Sequence, residues 1–262
     1  MAKPFVNPFV SGQFLELRVD ALVSDGRGLG RHGGVVVLVE DALPGQLVRA
    51  RVSAVRKSLA EAALVEVLER SPDEQRPPCP HAGRCGGCSW QSLAYARQLA
   101  WKERIVRDAL ERVGKVACPP MLPILPSPSE WGYRNKMEFA FGVSDDGGKA
   151  LGLRERGSRS IVEVTGCLLQ TPLTMRVLET ARLLSNGAFR DLDGRFLVVR
   201  EPHAGGCFVE LIAGAGGSPE AGERFAAVLR TELPEVTGFA LSERLASSDV
   251  AWGADVVRGR AA

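Results

Sequence analysis

Along residues 14–69 the apolar and polar positions alternate in short bursts: FLELRVDALV, the β-branched run GGVVVLVE, then GQLVRARVSAV and AEAALVEVLE. Alternation of this kind, rich in branched residues, predicts half-buried strands. The connections SDGRGLGRHGG, DALPG and RKS are glycine-rich or charged, as tight turns require. Four or five short strands in so short a stretch predict a small antiparallel barrel.

The pattern then changes. RSPDEQRPPCP reads as a linker. The stretch SLAYARQLAWKERIVRDALERVG carries Leu93, Ala96, Leu99, Ala100, Val106, Ala109, Leu110 and Val113 at three- and four-residue intervals. That spacing predicts an amphipathic helix, with Gly114 as its natural stop. A second proline-rich break, CPPMLPILPSPSEWG, follows. Beyond it, YRNKMEFAFGV and KALGLRER predict a hairpin around SDDGG, and RFLVVRE and CFVELIAG predict another around PHAGG. Helices are predicted at 173–185, closed by Asn186 and Gly187, and at 220–232. The chain is therefore expected to be α+β, mainly β, in three parts: residues 1–71, 72–118 and 119–262.

Composition narrows the class. With 45% hydrophobic and 24% charged residues, the 262-residue chain has the makings of a globular core. Net charge is +2, so any contact with a polyanion has to be local. MAKPFVNPFVSG lacks the features of a signal peptide, and no apolar run approaches the length needed to span a bilayer. A cytoplasmic protein with no membrane partner is expected. In that reducing compartment, clustered cysteines point to metal or redox chemistry rather than to disulfides.

CPHAGRCGGCSW sets Cys79, Cys85 and Cys88 in C-x5-C-x2-C spacing. A four-iron, four-sulfur cluster takes one thiolate per iron, and a short loop can supply three. Gly86 and Gly87 would let backbone amides approach the cluster. Cys118, Cys167 and Cys207 are the available fourth ligands. Zinc is the rival metal, since C-x2-C is also a zinc half-site and His81 could add a nitrogen. The spacing departs from the C-x3-C-x2-C of radical-SAM enzymes.

Two glycine-rich stretches raise other chemistry. Gly28, Gly30 and Gly33 match G-x-G-x-x-G, but a strand follows where a dinucleotide site needs a helix. A hairpin loop is the better reading, and it could display Arg27, Arg31 and His32 to a phosphate backbone. Gly214, Gly216 and Gly217 stand between a strand and a helix, with Glu243 closing the next strand, like the opening unit of a SAM- or nucleotide-binding sheet. The strand's apparent antiparallel hairpin with RFLVVRE favours a plain β–α–β connection. A genuine SAM site there would show as SAM-dependent thermal stabilisation.

Taken together, the chain resembles the N-terminal part of the RNA uracil-5-methyltransferases, which methylate C5 of uridines in rRNA and tRNA. DGRGLGR with ALPGQLVRARV looks like that family's TRAM domain, an OB-like RNA-binding barrel. CPHAGRCGGCSWQ looks like its iron–sulfur loop, YRNKMEFAFG like a central-domain strand, and VEVTGCLLQTP like the segment with its fourth cluster ligand. The resemblance implies a [4Fe–4S] cluster on Cys79, Cys85, Cys88 and Cys167, structural in role. It also implies an RNA partner, rRNA ahead of tRNA and not DNA, with Arg134, Lys136, Arg154, Arg156 and Arg159 as candidate phosphate contacts.

The family's chemistry uses a thiolate that adds to uracil C6, a base that removes the C5 proton, and a flipped target base. None of the six cysteines lies in a context matching that nucleophile, and the sequence stops at WGADVVRGRAA. The Rossmann-like methyltransferase domain, with SAM and the catalytic residues, is therefore expected to be absent. The chain is expected to be inactive alone, a fragment or the partner of a separate catalytic domain, with its helix stripe exposed. The rival expectation is a non-enzymatic, zinc-stabilised RNA-binding module.

Overall fold

The computed structural model describes residues 7–203, 205–214, 218–244 and, for the backbone alone, 254–260. The chain forms two compact units, one of residues 1–83 with 88–128 and the other of residues 84–87 with 129–262.

In the first unit, β1 (Phe14–Leu22), β2 (Gly28–His32), β3 (Val35–Glu40), β4 (Leu47–Val55) and β5 (Leu59–Glu69) close a barrel in the order β1-β2-β3-β5-β4. The alternation seen in the sequence becomes the inside–outside pattern of the barrel. Leu15, Leu17, Val19, Val37, Val39 and Val48 point inward and are buried, each contributing roughly 1.5–3 kcal/mol of transfer free energy. The barrel is not wholly antiparallel: β3 and β5 run parallel, because β5 inserts between β3 and β4 to close the ring. Gly28 and Gly30 serve this closure. A Cβ at either would lie 2.7 Å from the Ala42 carbonyl oxygen or 2.3 Å from that of Arg18. Gly33 and Gly34, at φ of 57° and 82°, make the tight β2–β3 turn.

The segments flanking the cysteine loop also belong to this unit. Glu74 bridges to Leu93, Ala94 donates its N–H to the Asp73 carbonyl, and the Trp90 Nε1–H donates to the Gly26 carbonyl at 3.2 Å. Helix α1 (Tyr95–Asp108) follows and loosens into a π-helical turn, Ala109–Val113. Trp101 is the buried residue of α1, packed with Leu22, Leu43 and Leu93. Of the predicted stripe, Leu93 is buried but precedes the helix, whereas Val106 and Val113 are exposed.

The second unit is a seven-stranded sheet with strand order β12-β11-β10-β9-β6-β7-β8. The strands are β6 (Lys136–Val143), β7 (Lys149–Arg154), β8 (Ile161–Val162), β9 (Gly194–Arg200), β10 (Cys207–Ala213), β11 (Val236–Glu243) and β12 (Ala254–Arg260). Helices α2 (Pro172–Asn186) and α3 (Pro219–Glu232) cover one face. Both start on sequence-encoded caps: Thr171 and Ser218 accept N–H bonds from Thr174 and Ala221, each with proline next in line. Their Val177, Leu178, Phe225 and Leu229 pack against Phe139, Leu197, Val209 and Leu211 of the sheet. The expected hairpin of β9 and β10 forms, but β10 also pairs in parallel with β11 through α3. A single strand thus has one antiparallel and one parallel neighbour, and the antiparallel hairpin did not exclude a parallel unit.

Candidate nucleic-acid interface

β6 and β7 pair from Val143–Lys149 down to Ala140–Gly152 and then part company. β6 continues beside β9, to the Lys136–Arg200 pair. β7 continues beside β8, through Leu153–Val162 and Arg154–Ile161. Gly152 allows the crossing, since a Cβ there would lie 2.2 Å from the Val162 carbonyl oxygen. In the fork between the strands opens a groove of about 850 Å³. Arg134, Lys136, Arg154 and Arg156 line it, over an apolar floor that includes Leu153 and Phe196.

The second wall is the four-residue segment 84–87. Gly86 donates its N–H to the Arg154 carbonyl at 3.1 Å, and Arg156 donates to the Arg84 carbonyl at 2.9 Å. Arg84 pairs with Asp145 and, at 3.3 Å, with Glu155. The Ser158 hydroxyl and then Arg84 hold the Glu155 carboxyl below its ordinary range. Above the floor, the Arg154 guanidinium lies 5.8 Å from the Phe196 ring centroid and that of Arg244 lies 6.0 Å from it. Lys136 Nζ stands 2.5 Å from Glu138. Such a surface offers fixed positive charge around a partly apolar cleft, which suits a phosphate backbone with an unstacked base.

The structure thus brings together four of the five candidate residues of this unit, and Arg159 is exposed outside the groove lining. On the barrel, Arg27 is held by Asp25, with Nε and Nη2 at 2.9 and 2.7 Å from Oδ2. This contact keeps the Asp25 carboxyl below its usual range. Arg31 and His32 are exposed on the β2–β3 hairpin, where Arg31 reaches the Gly34 carbonyl and His32 Nδ1 stands 3.1 Å from the Glu16 carbonyl. Glu138 and Phe196 were missed from the sequence. The alternation in KMEFAF already put Lys136, Glu138 and Ala140 on one face, but Phe196 joins them only through strand register.

The six cysteines are thiols, not disulfides. Cys79 and Cys88 are half-buried in the first unit, Cys85 and Cys167 half-buried in the second. As soft donors the four suit an iron–sulfur cluster. Among the described residues, however, no three His, Cys, Asp or Glu side chains gather as a metal site. Cys207 is buried in the α2–α3 core, and burial, then Glu201 and Glu235, push its thiol up to about 12. It is fitted neither to ligate nor to attack. Gly214 donates its N–H to the Asp193 carbonyl, while Gly216 and Gly217 lie outside the described residues. No helix among the described residues is long and apolar enough to cross a membrane.

Residues 8–65 match the TRAM domain family. Across 94% of its length the chain is 47% identical to an uncharacterized RNA methyltransferase of Nitratidesulfovibrio vulgaris, covering 54% of that protein. It is 38% identical to the 23S rRNA (uracil(1939)-C(5))-methyltransferase of Acidithiobacillus ferrooxidans, over 70% of this chain and 41% of the relative. The chain is thus similar to RNA methyltransferases over most of its length, and its first part carries the TRAM match. Its fold is that of the Pyrococcus abyssi tRNA (uracil-54, C5)-methyltransferase, solved with S-adenosyl-L-homocysteine, with a TM-score of 0.66 at 21% identity. That likeness covers 94% of this chain and 55% of the other. The chain spans about half the length of these relatives.

These matches overturn two expectations. The absence of the methyltransferase domain, and inactivity as a lone fragment, were inferred from where the sequence stops. The alignment instead runs through 94% of the chain with a relative named as an RNA methyltransferase, and the fold likeness is as extensive. The non-enzymatic zinc module falls for the same reason, and a separate missing catalytic partner finds no support.

Proposed function

We propose that the protein is a SAM-dependent RNA methyltransferase acting on C5 of a uridine, with rRNA ahead of tRNA as its substrate and the cytoplasm as its place of work. The observation that carries the reading is the groove of the second unit, where Arg134, Lys136, Arg154 and Arg156 line one cleft with an aromatic floor. It is supported by 47% identity with an RNA methyltransferase and by the TRAM match. SAM supplies the methyl group. The described residues supply the grip on RNA: phosphates on the groove cations and on Arg31 and His32 of the barrel hairpin, with Arg27 oriented by Asp25. Holding the strand beside its target uridine lowers the cost of extruding that base for reaction.

The thiols of Cys79, Cys85, Cys88 and Cys167 would hold a [4Fe–4S] cluster with a structural role. What supports this is their spacing and their soft donor chemistry. No step of the methyl transfer depends on it.

The test is transfer of tritiated methyl from SAM to unmodified transcripts of 23S rRNA and tRNA, with 5-methyluridine identified after digestion. Label in rRNA at uridine C5 supports the reading. Label on another base, or none on either RNA, sinks it.

A further inference from the structure

The sheet face opposite α2 and α3 carries its side chains in three rows. Period two along β6 puts Lys136, Glu138 and Ala140 on that face. Register sets Arg200, Val198 and Phe196 of β9 beside them, and Phe208, Glu210 and Ile212 of β10 beside those. The first row is therefore cationic, with Lys136 and Arg200. The second bears the carboxylates of Glu138 and Glu210, and the third is the apolar row of Ala140, Phe196 and Ile212. Rows two residues apart stand about 7 Å from each other.

A ribonucleotide has three parts in the same order: phosphate, ribose and base. Two carboxylates line the groove: Glu155 is taken by Ser158 and Arg84, whereas Glu138 meets Lys136 through one oxygen and has acceptor positions left for a ligand's hydrogen-bond donor. The ribose 2′-hydroxyl is such a donor, and it lies between phosphate and base. Glu210 is engaged by the Ser242 hydroxyl at 2.7 Å. Glu138 lines the groove, beside Lys136.

We propose that this face seats one unpaired ribonucleotide and that Glu138 accepts the hydrogen bond of its 2′-hydroxyl, so that the groove tells RNA from DNA. The phosphate meets Lys136 and Arg200. The base lies over the floor of Ala140 and Phe196, against the Arg154 guanidinium. The proposal deepens the RNA-methyltransferase reading and rests on RNA being the substrate. An exposed pair such as Lys136–Glu138 adds little to stability, so removing Glu138 has to register in binding.

The experiment is fluorescence anisotropy on the full chain with a short labelled oligouridine and the oligodeoxyuridine of equal length. A hydrogen bond to a charged acceptor predicts RNA bound about tenfold more tightly than DNA. Glu138→Ala should bring RNA down to the DNA affinity, Glu138→Gln should recover part of the gap, and Arg154→Ala should weaken both ligands alike. Melting temperatures check that each variant folds. The seat is overturned if Glu138→Ala shifts RNA and DNA by the same factor, if the wild-type ratio is near one, or if neither oligonucleotide binds. Methylation of rRNA is scored separately. Failure of the ratio with methylation intact removes the seat alone, whereas an intact ratio without uridine methylation removes the enzymatic reading alone.

Discussion

Gly86, directly after the second of the clustered cysteines, donates its backbone N–H to the carbonyl of Arg154 at 3.1 Å. With the return bond from Arg156 to Arg84, this makes an isolated antiparallel bridge between Cys85 and Glu155, just past the end of β7. One wall of the basic groove is therefore built from the cysteine loop. A Cβ at position 86 would come within 3.3 Å of the Arg154 carbonyl oxygen, and a branched side chain there has to displace the segment. Gly86→Val should weaken oligouridine binding by about threefold to tenfold, from the loss of one or two backbone bonds. Anisotropy titration beside a melting curve reads this, and an unchanged affinity would mean that the wall contributes nothing to the groove.

Gly152 sets the fork between β6 and β7. Its absent Cβ would stand 2.2 Å from the Val162 carbonyl oxygen, a backbone atom that cannot rotate away. Gly152→Ala should destabilise by about 3 kcal/mol, the upper end for overpacking. Gly166→Ala is the control, since a Cβ there meets nothing within 4 Å, and it should change stability by no more than about 0.5 kcal/mol. Urea midpoints separate the two. Equal midpoints would show that β8 can move aside.

How much of this was legible from residues alone depended on where the signal sat. α2 and α3 were predicted to within a residue of their ends, and the structure adds the Thr171 and Ser218 caps, a signal present in the sequence but not used. The parallel pairings of β3 with β5 and of β10 with β11 were not, because a strand's alternation says which face is buried and nothing about its neighbour. The basic residues of the groove could be named but not assembled: Arg134 and Arg156 line one groove through a fork that depends on Gly152. The annexed segment 84–87 was not legible either, since its backbone bonds to Arg154 and Arg156 leave no mark in the residue pattern. The π-helical end of α1 likewise broke a stripe whose spacing had promised one continuous helix.

Arg182 ties α2 to the sheet edge. Its Nε and Nη2 donate to the carbonyls of Leu151 and Val164, both at 3.1 Å, and it pairs with Glu163 at 3.4 Å. Arg182→Met keeps the aliphatic stem and removes the donors, so two partly buried carbonyls lose their partner. A loss of about 2 kcal/mol is expected, in the range for hydrogen bonds to a charged group. A change below about 0.5 kcal/mol in chemical denaturation would show that water replaces the guanidinium.

Cys207 predicts an alkaline weakness. Its thiol is raised from an ordinary 9.0 to about 12 by burial, so the folded state holds its proton more tightly than the unfolded chain. Between those two values unfolding releases a proton, and stability falls as pH rises. The contribution is complete below pH 9 and reduced by about 2 kcal/mol at pH 10.5, from 1.4 kcal/mol per pH unit. Cys207→Val should flatten this slope while leaving stability near pH 7 little changed. Denaturation midpoints from pH 7 to 10.5 decide, and parallel slopes in both proteins would place the alkaline loss elsewhere.

The cysteine loop makes its own prediction. If Cys79, Cys85, Cys88 and Cys167 hold a cluster, anaerobically purified protein should contain about four irons and four sulfides per chain, with a broad visible absorption. Cys167→Ser removes one of four thiolates and should lower both contents, whereas Cys207→Val should leave them unchanged because that thiol stays protonated in the core. The pair of variants matters, since a general effect of losing any cysteine would strike both. Iron retained in Cys167→Ser would remove Cys167 from the ligand set. One zinc and no sulfide in the wild type would remove the cluster itself, and would leave the loop as a zinc-held wall of the same RNA groove.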